Sequence, residues 1–159
     1  MRLESSIVIR RSPEEVWAFL GDIANVPKWD RGVARVRQTS EGAPGLGLAF
    51  ETLGYGESGI DEVKAGRMSY RITKADPVEG CTVELTNRDG NARFFKNAAW
   101  IFRVESAPEG ARLICAADFT LRLRYLFLGP ILYAKRSAIQ FDLESLKKVM
   151  EEAPADTQP

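Results

Sequence analysis

Residues 3–10 alternate between apolar and polar positions, with Leu3, Ile7 and Ile9 on one face, which predicts a strand. The period then changes. Ser12 can accept from the Glu15 N–H while Glu15 reaches back to the Ser12 N–H, and Pro13 stands at the first helical position, where a missing N–H costs nothing. Val16, Trp17 and Leu20 follow at helical spacing. This predicts a helix over 13–20 and a short second one over 22–26, before a Val-Pro-Lys-Trp turn.

From residue 33 onward the pattern is strand after strand. Alternation or short apolar runs predict strands over 33–39, 48–53, 60–63, 68–73, 82–86, 92–105 and 112–124. Gly, Pro, Asn and Asp clusters at 41–47, 54–59, 66, 76–80, 87–91 and 107–110 predict the turns between them. The clearest strand is 112–124. Leu113, Cys115, Ala117, Phe119, Leu121 and Leu123 fall on one face; Arg112, Asp118, Thr120, Arg122 and Arg124 fall on the other. Gly129-Pro130 then opens one long helix to about Glu152, with Leu132, Ile139, Leu143, Leu146 and Met150 along a narrow stripe. Short turns between strands imply an antiparallel sheet, and a strongly curved one would wrap the last helix, giving an α+β class. No internal repeat or linker divides the chain. One domain is expected over 1–152, followed by a frayed polar tail at 153–159.

Composition narrows the function classes. The 22 Lys and Arg balance the 22 Asp and Glu, and zero net charge argues against a general nucleic-acid binder. Histidine is absent, which removes Ser-His-Asp and Cys-His catalysis and every His-containing metal site. Two cysteines, Cys81 and Cys115, form no CxxC and no disulfide framework, and Cys115 reads as a small core residue. No signal-peptide pattern opens the chain, and no apolar run is long enough to span a bilayer, so a cytoplasmic protein is expected.

Literal motif matches have plainer readings. Gly54-Tyr-Gly56-Glu-Ser-Gly59 matches GxGxxG, but a strand-like Ile-Asp-Glu-Val follows where a dinucleotide site needs a helix, so a hairpin turn is preferred. Asp61 and Glu62 are strand neighbours on opposite faces and cannot share a proton. Glu14 and Glu15 suit a helix N-terminus. The segment 125–133, YLFLGPILY, lies beside Arg122, Arg124, Lys135 and Arg136. Basic charge beside apolar surface suits transient membrane docking; the preferred reading is that the segment packs as the entrance to the last helix. Lys135 and Arg136 interrupt the apolar stripe and either snorkel or mark a polar cavity mouth, snorkelling being preferred.

Four stretches together resemble a known superfamily: SPEEVWAFLGDIANVPKWD, EVKAGRMSYRIT, the W-x-F-x-V of 100–104, and the amphipathic C-terminal helix. They resemble the START/pollen-allergen-like helix-grip (SRPBCC) superfamily, and within it the polyketide cyclase/dehydrase and lipid-transport group. The resemblance covers 3–150. It implies a curved seven-stranded antiparallel sheet around a long C-terminal helix, two short helices after the first strand, and a hydrophobic cavity between sheet and helix. The segment 74–88 looks like an addition to the compact pattern, lengthening a hairpin or lidding the cavity.

In that frame the ligand-binding candidates are Phe50, Tyr70, Phe94, Lys96, Trp100, Phe102, Phe119, Leu132, Arg136 and Ile139. In a regular strand Lys96 shares a face with Phe94, Ala98, Trp100, Phe102 and Val104, where it would orient a carboxylate or carbonyl. A bulge between Lys96 and Trp100 would instead turn it to solvent. Trp17 and Trp29, in the helix pair at one end of the sheet, are expected to report ligand binding less than Trp100 does. The implied function is binding or transport of a hydrophobic small molecule such as a lipid, quinone or polyketide-like compound. The alternatives are a cyclase/dehydratase-type enzyme, drawing on Lys96, Glu62, Tyr70 or Tyr133, and a protein-interaction module with a solid core. No catalytic set, metal or cofactor is expected, and the partner is a hydrophobic small molecule with no nucleic acid.

Overall fold

The computed structural model describes residues 1–54, 66–86 and 93–152. Most of the GxGxxG stretch, Asp61, Glu62, the strand expected over 60–63, the 87–91 turn and the 153–159 tail lie outside the described residues.

Seven strands form one sheet: β1 Arg2–Ile9, β2 Arg35–Gln38, β3 Ala49–Leu53, β4 Arg67–Asp76, β5 Gly80–Leu85, β6 Phe95–Ala107 and β7 Gly110–Leu121. Their spatial order is β1-β7-β6-β5-β4-β3-β2, antiparallel at every pairing. The sheet is curved in the helix-grip manner. The segment 74–88 supplies the end of β4, a turn and β5, so within the described residues it builds the sheet.

Between β1 and β2 lie α1 (Pro13–Gly21), a 3-10 turn (Ile23–Asn25) and α2 (Val26–Trp29). The capping box is present in full: the Glu15 N–H donates to Ser12 Oγ at 3.2 Å, and the Ser12 N–H donates to Glu15 Oε2 at 2.7 Å. The second helix forms later than expected, because Pro27 falls near its start, where its ring is compatible with the first helical turn.

The long helix is not continuous. A 3-10 stretch (Leu123–Leu128) leads into α3 (Gly129–Ala134), and α4 (Ser137–Glu152) begins after a two-residue break. At the break the Lys135 N–H is shared between the carbonyls of Ile131 and Leu132, and the Arg136 N–H bonds Tyr133 O. The reason lies in the stripe itself. In an unbroken helix Leu132, Lys135, Arg136 and Ile139 share one face, which would carry two cations toward the sheet. The break leaves Lys135 and Arg136 exposed while Leu132 and Ile139 stay half-buried. β7 is also shorter than its alternation implied. The Arg122 N–H bonds Phe94 O and its Nε donates to Phe95 O, which ends the β6–β7 ladder. Leu123 then stands 84% exposed. The expected packing of 125–133 fails in the same way, since Leu126, Phe127, Ile131 and Tyr133 are all exposed.

The solid core lies where α4 meets the β1, β7, β6 end of the sheet. Ile9, Val16, Leu113, Leu143 and Leu146 are its fully buried side chains. Lys147 Nζ donates to Val8 O at 2.8 Å and the Arg10 N–H donates to Glu151 Oε1 at 2.8 Å, tying α4 to the end of β1. Gly110 makes the β6–β7 turn at φ +141°, where a Cβ would stand 2.3 Å from Ile9 O.

Leu146→Ala should destabilise the protein by about 2–5 kcal/mol, and Leu123→Ala by under about 0.5 kcal/mol. Urea unfolding of both variants checks this. Equal losses would place the core elsewhere.

Candidate functional site

The aromatic positions of neighbouring strands meet on the concave face of the sheet. Phe50 on β3 is directly opposite Tyr70 on β4, and Val83 on β5 is opposite Trp100 on β6. Phe50 and Tyr70 stack at 5.4 Å, and Tyr70 meets Trp100 edge-on at 5.5 Å. These contacts make a continuous wall. Facing it, α1, α2 and the N-terminal half of α4 enclose a cavity of about 410 Å³. Ile139, Asp142 and Leu143 of α4 contribute to its lining.

Of the sequence-derived candidates, Phe50, Tyr70, Trp100, Phe102 and Ile139 line this cavity. Phe119 and Leu132 line a second pocket of about 160 Å³, whose walls also include Trp100 and Ile139. Phe94, Lys96 and Arg136 line neither. For Lys96 the cause is a bulge. The β6–β7 register slips between Phe95 and Asn97, so Phe95 takes the inward position and Lys96 is exposed. Phe94 then lies just before the strand, against Phe95 at 4.4 Å. Arg136 is turned out by the helix break, its guanidinium 4.6 Å from the Tyr133 ring centre.

Trp17 and Trp29 line the cavity together with Trp100, against the expectation that the helix pair reports ligand binding less. The helix pair folds over the end of the concave face instead of standing beside it. Trp29 meets Phe102 edge-on at 6.2 Å.

The cavity also holds polar groups that periodicity did not mark. Thr52 is buried in β3, and the Tyr70 hydroxyl donates to Met68 Sδ at 3.4 Å. Burial pushes the Tyr70 hydroxyl up to about 12, so it stays protonated. Asp30, which ends α2, and Asp142, in the middle of α4, both reach the lining. One turn holds both carboxylates. The Gly32 N–H donates to Asp30 Oδ1 at 2.9 Å, and the Arg31 N–H donates to Asp142 Oδ1 at 3.4 Å. Burial, then the neighbouring Asp142 charge, pushes the Asp30 carboxyl up to about 6 from 3.8. Burial also raises Asp142, opposed by its contact with Arg31. Asp30 lay inside the motif stretch that opens the chain, and Asp142 sits one position from the apolar stripe. The available signal was an acid beside buried helical positions, which is common and unspecific.

Cys115 completes this part of the lining, its thiol raised to about 12 chiefly by burial. Cys81 is raised to about 11 for the same reason, and both thiols are free. Neither offers a thiolate nucleophile at neutral pH. Among the described residues, no three His, Cys, Asp or Glu side chains converge as metal ligands.

A family model described as polyketide cyclase / dehydrase and lipid transport matches residues 1–151. No curated protein matches the sequence. Solved structures share the fold. The Zhui aromatase/cyclase from Streptomyces sp. R1128 is 14% identical with a TM-score of 0.76, covering 100% of this chain and 99% of its own. TTHA0849 from Thermus thermophilus is 12% identical with a TM-score of 0.73, covering 97% of this chain and 100% of its own. Ara h 8.0201 is 11% identical with a TM-score of 0.69, covering 94% and 96%. At such identities the likeness speaks for the fold alone.

The raised Asp30 carboxyl makes a signed prediction. Between about pH 4 and 6 the folded chain holds a proton that the unfolded chain has released, so Asp30 costs stability as pH rises through that window. Asp30→Asn should therefore stabilise the protein above pH 6, by at most about 3 kcal/mol. The gain should vanish below about pH 4. Urea unfolding of wild type and variant across this range checks the sign. A variant less stable than wild type at neutral pH would show the carboxylate to be favourably paired.

Proposed function

The chain belongs to the polyketide cyclase / dehydrase and lipid transport family, and on that premise we propose that it binds or transports a hydrophobic small molecule. The ligand class is a lipid, quinone or polyketide-like compound, held between the sheet and α4. The observation that carries this reading is the cavity wall. About 410 Å³ is enclosed chiefly by aromatic and aliphatic side chains, among them Trp17, Trp29, Phe50, Tyr70, Trp100 and Phe102. Small-molecule sites commonly span roughly 300–1,000 Å³ with such linings. Affinity would come mainly from apolar burial, about 25 cal/mol per Å² before ordering costs. Thr52, Tyr70 and the two aspartates would orient the polar end of the ligand.

A second reading, a cyclase- or dehydratase-type enzyme on the same fold, is favoured by Asp30. A carboxyl held near pH 6 inside an apolar cavity is suited to general acid–base work. Tyr70, kept protonated, would donate to a carbonyl oxygen. Incubating a linear polyketide surrogate with the protein separates the readings: a surrogate recovered unchanged keeps binding, and ring closure seen by NMR or absorbance, or loss of water seen by mass, means catalysis.

Native mass spectrometry of protein purified from its own host should show a retained ligand. An environment-sensitive apolar dye should bind near one-to-one and quench or shift tryptophan emission, since Trp17, Trp29 and Trp100 all line the cavity. Trp100→Ala should weaken dye binding by about tenfold or relocate it, because that side chain borders both pockets. Lys96→Met should change neither neutral nor carboxylate ligands, since Lys96 faces solvent. Absence of both a retained ligand and saturable dye binding would end the proposal.

A further inference from the structure

The segment from Leu123 to Tyr133 exposes side chains that a water-facing surface normally buries. Leu123, Leu126, Phe127, Ile131 and Tyr133 are each more than half exposed, Phe127 at 68%. All five lie along the 3-10 stretch and α3, a run of exposed apolar side chains, whereas isolated ones would need no explanation. Charge in this region is one-sided. Along the sequence between Asp118 and Asp142 the chain carries Arg122, Arg124, Lys135 and Arg136 and no acidic residue, although the whole chain is neutral; Asp118 itself lines the smaller pocket with Lys135. Arg124 lies 4.9 Å from the Tyr125 ring centre, and Arg136 lies 4.6 Å from that of Tyr133. Each pair presents an apolar body with a cationic head, the arrangement favoured at the headgroup level of a bilayer.

The inner side of the same segment is also informative. Leu132 and Lys135 line the smaller pocket, which shares Trp100 and Ile139 with the main cavity. The exposed apolar face and the cavity wall are thus two sides of one short helix, α3.

We propose that Leu123–Tyr133 and the basic side chains flanking it form a docking surface for an anionic lipid bilayer. The apolar side chains enter the headgroup boundary while Arg124, Lys135 and Arg136 meet the lipid phosphates. Charge selects this occupant over a second copy of the chain. A two-fold contact through the patch would bring Arg124, Lys135 and Arg136 against their own equivalents with no carboxylate in the segment to offset them. The surface adjoins the smaller pocket through Leu132 and Lys135.

Cosedimentation with vesicles tests this. Vesicles of phosphatidylcholine alone are compared with vesicles of equal parts phosphatidylcholine and phosphatidylglycerol, at low and high salt. The expected result is binding to the anionic vesicles at least about tenfold tighter than to the neutral ones, and weakened by salt. Phe127→Asp, and separately Lys135→Glu with Arg136→Glu, should each reduce binding by about tenfold or more while leaving the melting temperature unchanged. No binding to anionic vesicles overturns the proposal, as does equal binding to both compositions. Full binding by Phe127→Asp overturns it too. A dimer in sedimentation that Phe127→Asp dissolves would assign the face to self-association instead. The vesicle assay needs no cavity ligand, so its failure leaves the cavity reading standing, and failure of dye binding leaves this one standing.

Discussion

One helix has to cover the concave face of a seven-stranded sheet, and the structure follows from how far it reaches. The 16 residues of α4 span about 24 Å. From Leu143 onward it packs solidly: Leu143, which also borders the cavity, Leu146 and Met150 meet Ile9, Val104 and Leu113 with little or no exposure. Its N-terminal half does not close on the sheet. There Ile139 and Asp142 face a wall of Phe50, Tyr70 and Trp100 across open space. The same helix therefore anchors the fold at one end and roofs a cavity at the other. Bonds from Lys147 and Glu151 to the end of β1 hold the anchored half in register.

Two kinds of polar group lie in that cavity, and their environments differ. Thr52 and Tyr70 lie on the sheet side, where the Tyr70 hydroxyl donates to Met68 Sδ. Asp30 and Asp142 come from the helical side, held by adjacent backbone N–H groups of one turn. Each carboxylate has one such bond, against the desolvation of a cavity and the repulsion of its neighbour. An apolar enclosure with a polarised end suits an amphipathic molecule better than a pure hydrocarbon. Fold likeness at such identities does not choose among ligands.

Two local irregularities shape the surroundings of the cavity. The bulge at Lys96 keeps a cation off the aromatic face and brings Phe95 inward, where it packs on Phe119 at 5.6 Å. The break at Lys135 and Arg136 leaves both side chains exposed, although Lys135 still lines the smaller pocket. Both resolve one conflict: a regular element would have carried a lysine or arginine into an apolar interior, and desolvating it costs more than a few distorted backbone bonds. The regular pattern yields wherever continuing it would bury an unpaired charge.

The local elements were legible because their causes are local. A capping box, a proline at the first helical turn, strict alternation over β7 and the Leu143, Leu146, Met150 stripe each act over a few residues. The resemblance of four such stretches to the helix-grip superfamily supplied the strand count and the idea of a cavity. Within the candidate site, Phe50, Tyr70, Trp100 and Phe102 were legible as inward positions on alternating strands. Lys96 and Phe94 were misplaced, because a one-residue bulge reverses every face before it and leaves no mark in composition. Trp17, Trp29, Asp30 and Asp142 were not found. Their meeting depends on the angle at which the helix pair folds back over the sheet, and on which turn of α4 stands opposite it. Those are relations between segments over a hundred residues apart, set by packing of the whole. The sequence by itself determined which elements form and which of their faces are apolar. Only the tertiary structure decided where those faces fail to meet, and so where the cavity lies and which charges it holds.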